Sequence, residues 1–180
     1  MNVSVSPSFI DALRTNHPAP DRADKMNLYG WLIGRWEMET TVYADDGTKH
    51  AGRGEIHAGW VLEGRAVQDV WIMPRRTERT TELGKANNMY GTTLRVWDSA
   101  IQAWRVTWIN PVTGARDELI GRRSGNDIVQ VGTHPDGTPI RWIFSEIAED
   151  SFRWTGEALN PDGKTWKLEG EFRAKRAAEK

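Results

Sequence analysis

Residues 35–44 read RWEMETTVYA, and the alternation inside them decides the fold: Trp36, Met38, Thr40 and Val42 fall on one side, Glu37, Glu39, Thr41 and Tyr43 on the other. A period of two with glutamates confined to one side is a half-buried β-strand whose outer face is marked by its charges. The stretch before it has a different period. From Asp21, read as an N-cap, RADKMNLYGWLIG repeats Met26, Tyr29 and Ile33 at helical spacing and stops at Gly34. An earlier short helix is expected over Ser8 to Thr15, broken by Pro18 and Pro20.

Downstream, turn chemistry returns at nearly regular intervals. It appears at Asp45-Asp46-Gly47, Gly64, Asp98-Ser99, Asn110-Pro111 with Gly114, Ser124-Gly125-Asn126-Asp127, Pro135-Asp136-Gly137, Glu149-Asp150 and Asn160-Pro161-Asp162-Gly163. Strands are expected between these turns near 49–62, 65–73, 89–98, 103–110, 115–122, 128–134, 139–147, 151–159 and 165–174. The pattern predicts one all-β domain over 1–180, an antiparallel meander β-barrel of about ten strands with a short N-terminal helix. Residues 1–20 are its flexible or helical lead-in. One connection is out of line: 74–88, PRRTERTTELGKANN, is polar and longer than a hairpin needs, which suits a lid over a barrel mouth or a solvated excursion.

Ten tryptophans make the interior distinctive. Each brings a large apolar body and one N–H that needs a partner when buried, so several of them on sheet faces build a wide, aromatic, semi-polar interior. Charge is nearly balanced, 24 Lys+Arg against 25 Asp+Glu, so no long-range field favours nucleic acid or an anionic membrane. The chain has no cysteine, which excludes disulfides and thiolate metal sites. The N-terminal residues lack the basic start and apolar run of a secretory signal, and a soluble, cytoplasmic protein is expected.

Gly34-Arg35-Trp36 places Gly-x-Trp at the junction of helix and first strand, and a basic residue, Arg173 or Arg176, ends the last strand. These features resemble the calycin superfamily of lipocalin-like and fatty-acid-binding-like barrels. The resemblance implies that Trp36 closes the barrel floor and that a terminal arginine packs across it. Parity with Trp166, Leu168 and Phe172 selects Arg176. Within the superfamily, Leu32 to Arg176 is most similar to uncharacterised bacterial barrels related to nitrobindins. Nitrobindin-like proteins bind haem through a histidine near their C-terminal strands. Here the histidines are His17, His50, His57 and His134, with none later, and His134 precedes a hairpin tip, so no haem or other cofactor is expected.

Strand alternation sends a few polar residues inward. His50, with Gly52, Gly54, Ile56, Ala58 and Trp60, faces the interior, and Arg53, Glu55 and His57 face out. Tyr90 and Thr92 are placed inside with Leu94 and Val96, Asn110 with Trp104, Val106 and Trp108, and Glu118 with Ile120. Asp69 and Gln68 are adjacent, so one of them faces inward, and the strand leaves the choice open. A desolvated Glu118 would have a raised pKa suited to acid/base work, whereas the bland alternative pairs it with Arg116 or Arg141. Arg141 and Arg153 read as surface arginines beside the core residues Trp142 and Trp154.

Two main functional readings follow. One is a binder that holds a small hydrophobic or aromatic molecule against Trp104, Trp108, Asn110 and Trp142. The other is a cofactor-independent isomerase, cyclase, lyase or hydrolase using His50, Tyr90 or Glu118 as acid or base. A third has the tryptophans themselves fill the barrel. No metal site, nucleic acid or membrane enters any of the three, and a homodimer is left open. Convergent titratable groups in an open cavity would favour the enzyme, and an apolar open cavity the binder.

Overall fold

The computed structural model describes residues 7–80 and 88–178. Two short helices, α1 (Pro7–Leu13) and α2 (Ala23–Gly30), precede the sheet, with a two-residue strand β1 (Arg14–Thr15) between them. Then come β2 (Gly34–Tyr43), β3 (Lys49–Val61), β4 (Ala66–Met73), β5 (Met89–Asp98) and β6 (Ala103–Asn110). The second half holds β7 (Ala115–Ser124), β8 (Asp127–Thr133), β9 (Pro139–Ser145), β10 (Ser151–Leu159) and β11 (Trp166–Arg176). Each strand from β2 onward pairs antiparallel with the next, and β11 returns to β2, closing a barrel of 10 strands. Strand β1 adds to the outer edge of this circuit by pairing with the end of β3.

The strands lie where alternation and turn residues predict them, within a few residues at their ends. The helix differs. Asp21 is not its N-cap: a 3-10 turn, Pro20–Arg22, comes first, Arg22 takes the cap position without a side-chain bond, and the Asp21 carboxylate accepts two bonds from Arg65 instead. The helix also ends at Gly30, before Gly34. Gly34 opens β2 at a φ of 122°, and a Cβ there would lie 2.8 Å from an Arg176 nitrogen, so the residue is required both by its backbone and by the close approach.

Helix α2 and the turn after it plug one end of the barrel. Met26, Tyr29 and Leu32 are wholly buried, and the Trp36 indole lies beside them with its Nε1 donating to the Leu32 carbonyl at 2.8 Å. The Arg176 guanidinium lies 4.0 Å from the Trp36 ring centroid and donates to the carbonyls of Ile33, Trp31 and Glu149 at 2.9, 2.9 and 3.0 Å. A flat cation thus covers the one indole face that the plug leaves open, and it ties the turn after α2 to the loop before β10. The opposite end carries the β2–β3, β4–β5, β6–β7, β8–β9 and β10–β11 connections.

Arg176→Met should therefore lower stability by about 1–3 kcal/mol, the stacking and charged hydrogen bonds being lost together. Arg176→Lys should recover only part of this, because an ammonium cannot both lie on the ring and reach three carbonyls. Urea midpoints of the two variants decide it, and equal midpoints would show the stack to be incidental.

Candidate functional site

Strand β4, AVQDVWIM, is apolar apart from two residues, and it points Val67, Asp69 and Trp71 into the barrel while Gln68 and Val70 face out. This resolves the choice between Gln68 and Asp69. A carboxylate buried in a barrel needs a cation, and the neighbouring strand supplies it. In the β4–β5 ladder Asp69 stands opposite Thr93, so Arg95 is its diagonal neighbour on the same face. Arg95 is 1% exposed; its Nη1 donates to one Asp69 oxygen while the Thr93 amide donates to the other at 3.1 Å.

Around this pair lies a second polar layer. Arg95 Nε and the Tyr29 hydroxyl both donate to the Gln130 side-chain oxygen, at 3.4 and 3.1 Å, and the Tyr29 and Phe144 rings lie 5.1 and 5.7 Å from the guanidinium carbon. Burial holds the Tyr29 phenol protonated well above its ordinary range, so it acts here as a donor and not as a base. The helix plug is thereby bonded to the centre of the barrel.

On the side of this layer toward the open end lies a cavity of about 110 Å³. Trp71, Trp108, Trp142, Trp154 and Phe172 wall it. Met89 closes one side, and Thr93 and Arg95 form the floor. The rings interlock: Trp154 stacks on Phe172 at 4.8 Å and 24°, and Trp142 meets Trp108 and Trp154 edge to face at 6.4 and 5.8 Å. Gly91 is part of the construction, since a Cβ there would run into the Trp108 ring and the Ile109 carbonyl. Trp108, Trp142 and Trp154 are inward residues that are nonetheless only partly buried, because the space they face is not filled by side chains.

The expected site residues divide accordingly. Trp108 and Trp142 wall the cavity. Trp104 points inward but lies in the plugged end, edge-on to Tyr29 at 5.0 Å and 1% exposed. Asn110 is buried at the mouth, where its oxygen accepts from the amides of Tyr90 and Val112 and its nitrogen donates to the Asn88 carbonyl, so it holds backbone. His50 is half-buried on the inner side of β3, opposite Val42 and next to the β2–β3 turn. Tyr90 and Glu118 face outward, contrary to the inward placement read from the sequence. Tyr90 is 42% exposed beneath the Arg79 guanidinium, and Glu118 pairs with Arg116 at 2.9 Å. Their strands are one residue out of phase with that reading: Met89, Gly91, Thr93 and Arg95 of β5 and Asp117, Leu119 and Gly121 of β7 face inward. Hence His50, Tyr90 and Glu118 do not converge. Arg141 and Arg153 are outer-face residues, paired with Glu157 and Glu171.

Sequence reading named Asp69 without its partner Arg95 and weighed His134 only as a haem ligand, so two groupings were missed. Arg95 and Asp69 had a signal, namely a lone carboxylate in an apolar strand, which demands a cation within diagonal reach. The other group is at the open end. His134 follows β8, its Nδ1 3.1 Å from Asp117 and its Nε2 3.4 Å from Glu169. Since β9 and β10 separate β8 from β11, the His134–Glu169 contact reaches across the mouth. Asp117 stands opposite Trp108 in the β6–β7 ladder, so this cluster adjoins the cavity wall. Partial burial pulls the His134 pKa down, but the Asp117 hydrogen bond and the charges of Glu169 and Asp117 outweigh it, and the net shift is upward. Among the described residues no group of His, Cys, Asp or Glu is arranged to hold a metal ion.

The 74–88 connection leaves and re-enters beside the cavity through Met73 and Met89; residues 81–87 of the expected lid lie outside the described residues. Its first part is anchored to the barrel wall: the Arg76 amide and Nε donate to Glu55 at 2.9 and 2.8 Å. Burial alone would raise the Glu55 carboxyl, but the Arg76 bonds and that of His57 hold it at about 2. Arg79 Nη1 donates to the carbonyls of Met73 and Met89 at 3.1 and 3.2 Å, bridging the two ends of the connection. No helix among the described residues is long and apolar enough to cross a membrane.

No protein-family model matches the chain, and no curated protein matches it in sequence. Among solved structures, the S-type phycobiliprotein lyase of Guillardia theta aligns with a TM-score of 0.55 and 11% identity over 86% of this chain and 93% of that one. A redesigned β-barrel aligns at 0.39 and 10% identity over 83% and 94%. The likeness to the lyase is one of fold alone.

Two outcomes are expected from these groups. Arg95→Met and Asp69→Asn should each destabilise, the former by about 3–5 kcal/mol because it leaves a buried carboxylate unpaired, and the double variant should cost clearly less than their sum. Strict additivity in urea unfolding would mean that the pair is not coupled. For His134, the folded pKa lies above the unfolded value, so its charge contributes stability that is complete below about pH 6.5 and disappears as pH rises through the folded value. His134→Gln should therefore destabilise more at about pH 5.5 than at about pH 9. An equal loss at both would assign His134 a role independent of charge.

Proposed function

We propose that this barrel binds a small hydrophobic or aromatic molecule in its tryptophan-walled cavity, as a calycin-type carrier or sensor on the nitrobindin-like side of that superfamily. The cavity itself carries the reading: four indoles and a phenyl ring surround space that the side chains leave empty, on one side of a polar layer that would orient a guest. The enzyme reading with His50, Tyr90 and Glu118 has less support, because two of those groups face away from the cavity. Among the described residues that line it, the ionisable group is Arg95 of the floor, which is engaged by Asp69. The phycobiliprotein lyase contributes a barrel and nothing about the guest, since 11% identity is a likeness of fold.

Toluene, a ring of the size the cavity accepts, should bind saturably and alter tryptophan emission. Thr93→Leu, which fills the floor, should weaken binding roughly tenfold or more, whereas Trp104→Phe, remote from the cavity, should leave it within about twofold. Native mass spectrometry of the protein taken from its own cells should show a retained small molecule. A wild-type chain that binds no aromatic probe would overturn the reading.

A further inference from the structure

We infer that the guest is a single-ring aromatic molecule bearing a neutral hydrogen-bond acceptor, such as a carbonyl, with the acceptor directed toward Arg95 and Trp71. This rests on the ligand-binding reading above and narrows it to a chemical class. Size is the first ground. At about 110 Å³ the cavity is of the order of apolar cavities of about 150 Å³ that take up benzene, so one ring fits and a fused system does not.

Polarity is the second ground. Trp71, which walls the cavity and is 4% exposed, has its Nε1 buried without a hydrogen-bond partner among the described residues. The wholly buried Gln130 is in the same condition: its oxygen takes bonds from Tyr29 and Arg95, and its nitrogen has none. The other buried side-chain atoms without partners, on Arg22, Arg75 and Ser145, lie outside the barrel interior, before α2, after β4 and on the outer face of β9. The interior is therefore short of acceptors and not of donors. A buried donor without a partner is costly, and a guest that supplies the acceptor removes that cost as it binds.

Charge selects among acceptors. Arg95 is already matched by Asp69, so the floor is neutral as a unit. A carboxylate guest would add an uncompensated negative charge beside Asp69 in a dry, aromatic space, whereas a carbonyl takes the same N–H groups with no net charge. A charged ammonium, which donates and cannot accept, would meet a floor and wall that themselves present N–H groups.

Three probes of nearly equal shape test this by calorimetry on the intact protein: acetophenone, its isostere α-methylstyrene with a methylene in place of oxygen, and benzoate. Acetophenone should bind roughly tenfold or more tightly than either of the others, the difference expected of a hydrogen bond to a charged donor. Trp71→Phe, which keeps the ring and removes the N–H, should shrink the gap between acetophenone and α-methylstyrene while leaving the latter's affinity nearly unchanged. Equal binding of acetophenone and α-methylstyrene overturns the acceptor class yet leaves the aromatic pocket standing. Tightest binding of benzoate overturns it in favour of an anion site. Binding of none of the three overturns the single-ring guest together with the pocket reading. A gap that survives Trp71→Phe undiminished removes Trp71 as a donor.

Discussion

The pairing of Arg95 with Asp69 organises the barrel from its middle. An ion pair with almost no solvent exposure is a weak source of net stability, because desolvating two charges offsets most of their attraction. Its consequence is specificity. With Asp69 inside, only one phase of β5 brings a cation within reach, and that phase also sets Gly91, Thr93 and Trp97 inward. Through Gln130 and Tyr29 the same pair reaches the helical plug, so the phase of β5, the position of β8 and the seat of α2 are mutually consistent in one arrangement.

Ten strands enclose more space than eight, whose interior side chains just fill it. This chain meets the excess differently at its two ends. At the plugged end, α2, Trp36, Trp104, Phe144 and Phe152 pack it solid, and Arg176 seals the rim. Beyond the polar layer, large rings meet by edges and offset faces, a packing that holds the walls apart and leaves room between them. The rigid, filled half thus supports a half-open one, the division that a binding site on a barrel needs.

At the mouth, the His134 cluster and the anchored start of the 74–88 connection add charge around an apolar opening. His134, held by Asp117, reaches Glu169 on a strand that is not its neighbour in the sheet, and Arg79 joins the two ends of the longest connection. These contacts keep the rim together where no helix among the described residues covers it. They lie beside the cavity, whereas Arg95 and Thr93 lie beneath it, so polar groups occur at its two ends with aromatic walls between.

Much of this was legible in the sequence, wherever the evidence for a feature is local. The alternation of RWEMETTVYA, the Gly and Asp turns, and the Gly-x-Trp with its distant arginine specify the strands, their order and the closed end. Chemistry that needs only nearest neighbours, such as φ at Gly34 or a tight turn at Asn160 to Gly163, is written where it acts. So are the inner faces of β3, β6 and β9, whose apolar and polar sides differ plainly, which is why His50, Trp108 and Trp142 point as expected. Strands β5 and β7 are different. MYGTTLRVWD and ARDELIGRRS carry apolar residues on both faces, and the more apolar-looking face of β5, with Tyr90, Leu94 and Val96, is the outer one. A strand of that kind has no phase of its own. Its phase was decided only in the assembled barrel, where Asp69 required Arg95, the Trp108 ring required the missing side chain of Gly91, and the Tyr29 hydroxyl required that of Gly121. Those requirements act across strands and become binding only when the interior is closed to water, since an unpaired charge or a displaced ring costs little in a solvated chain.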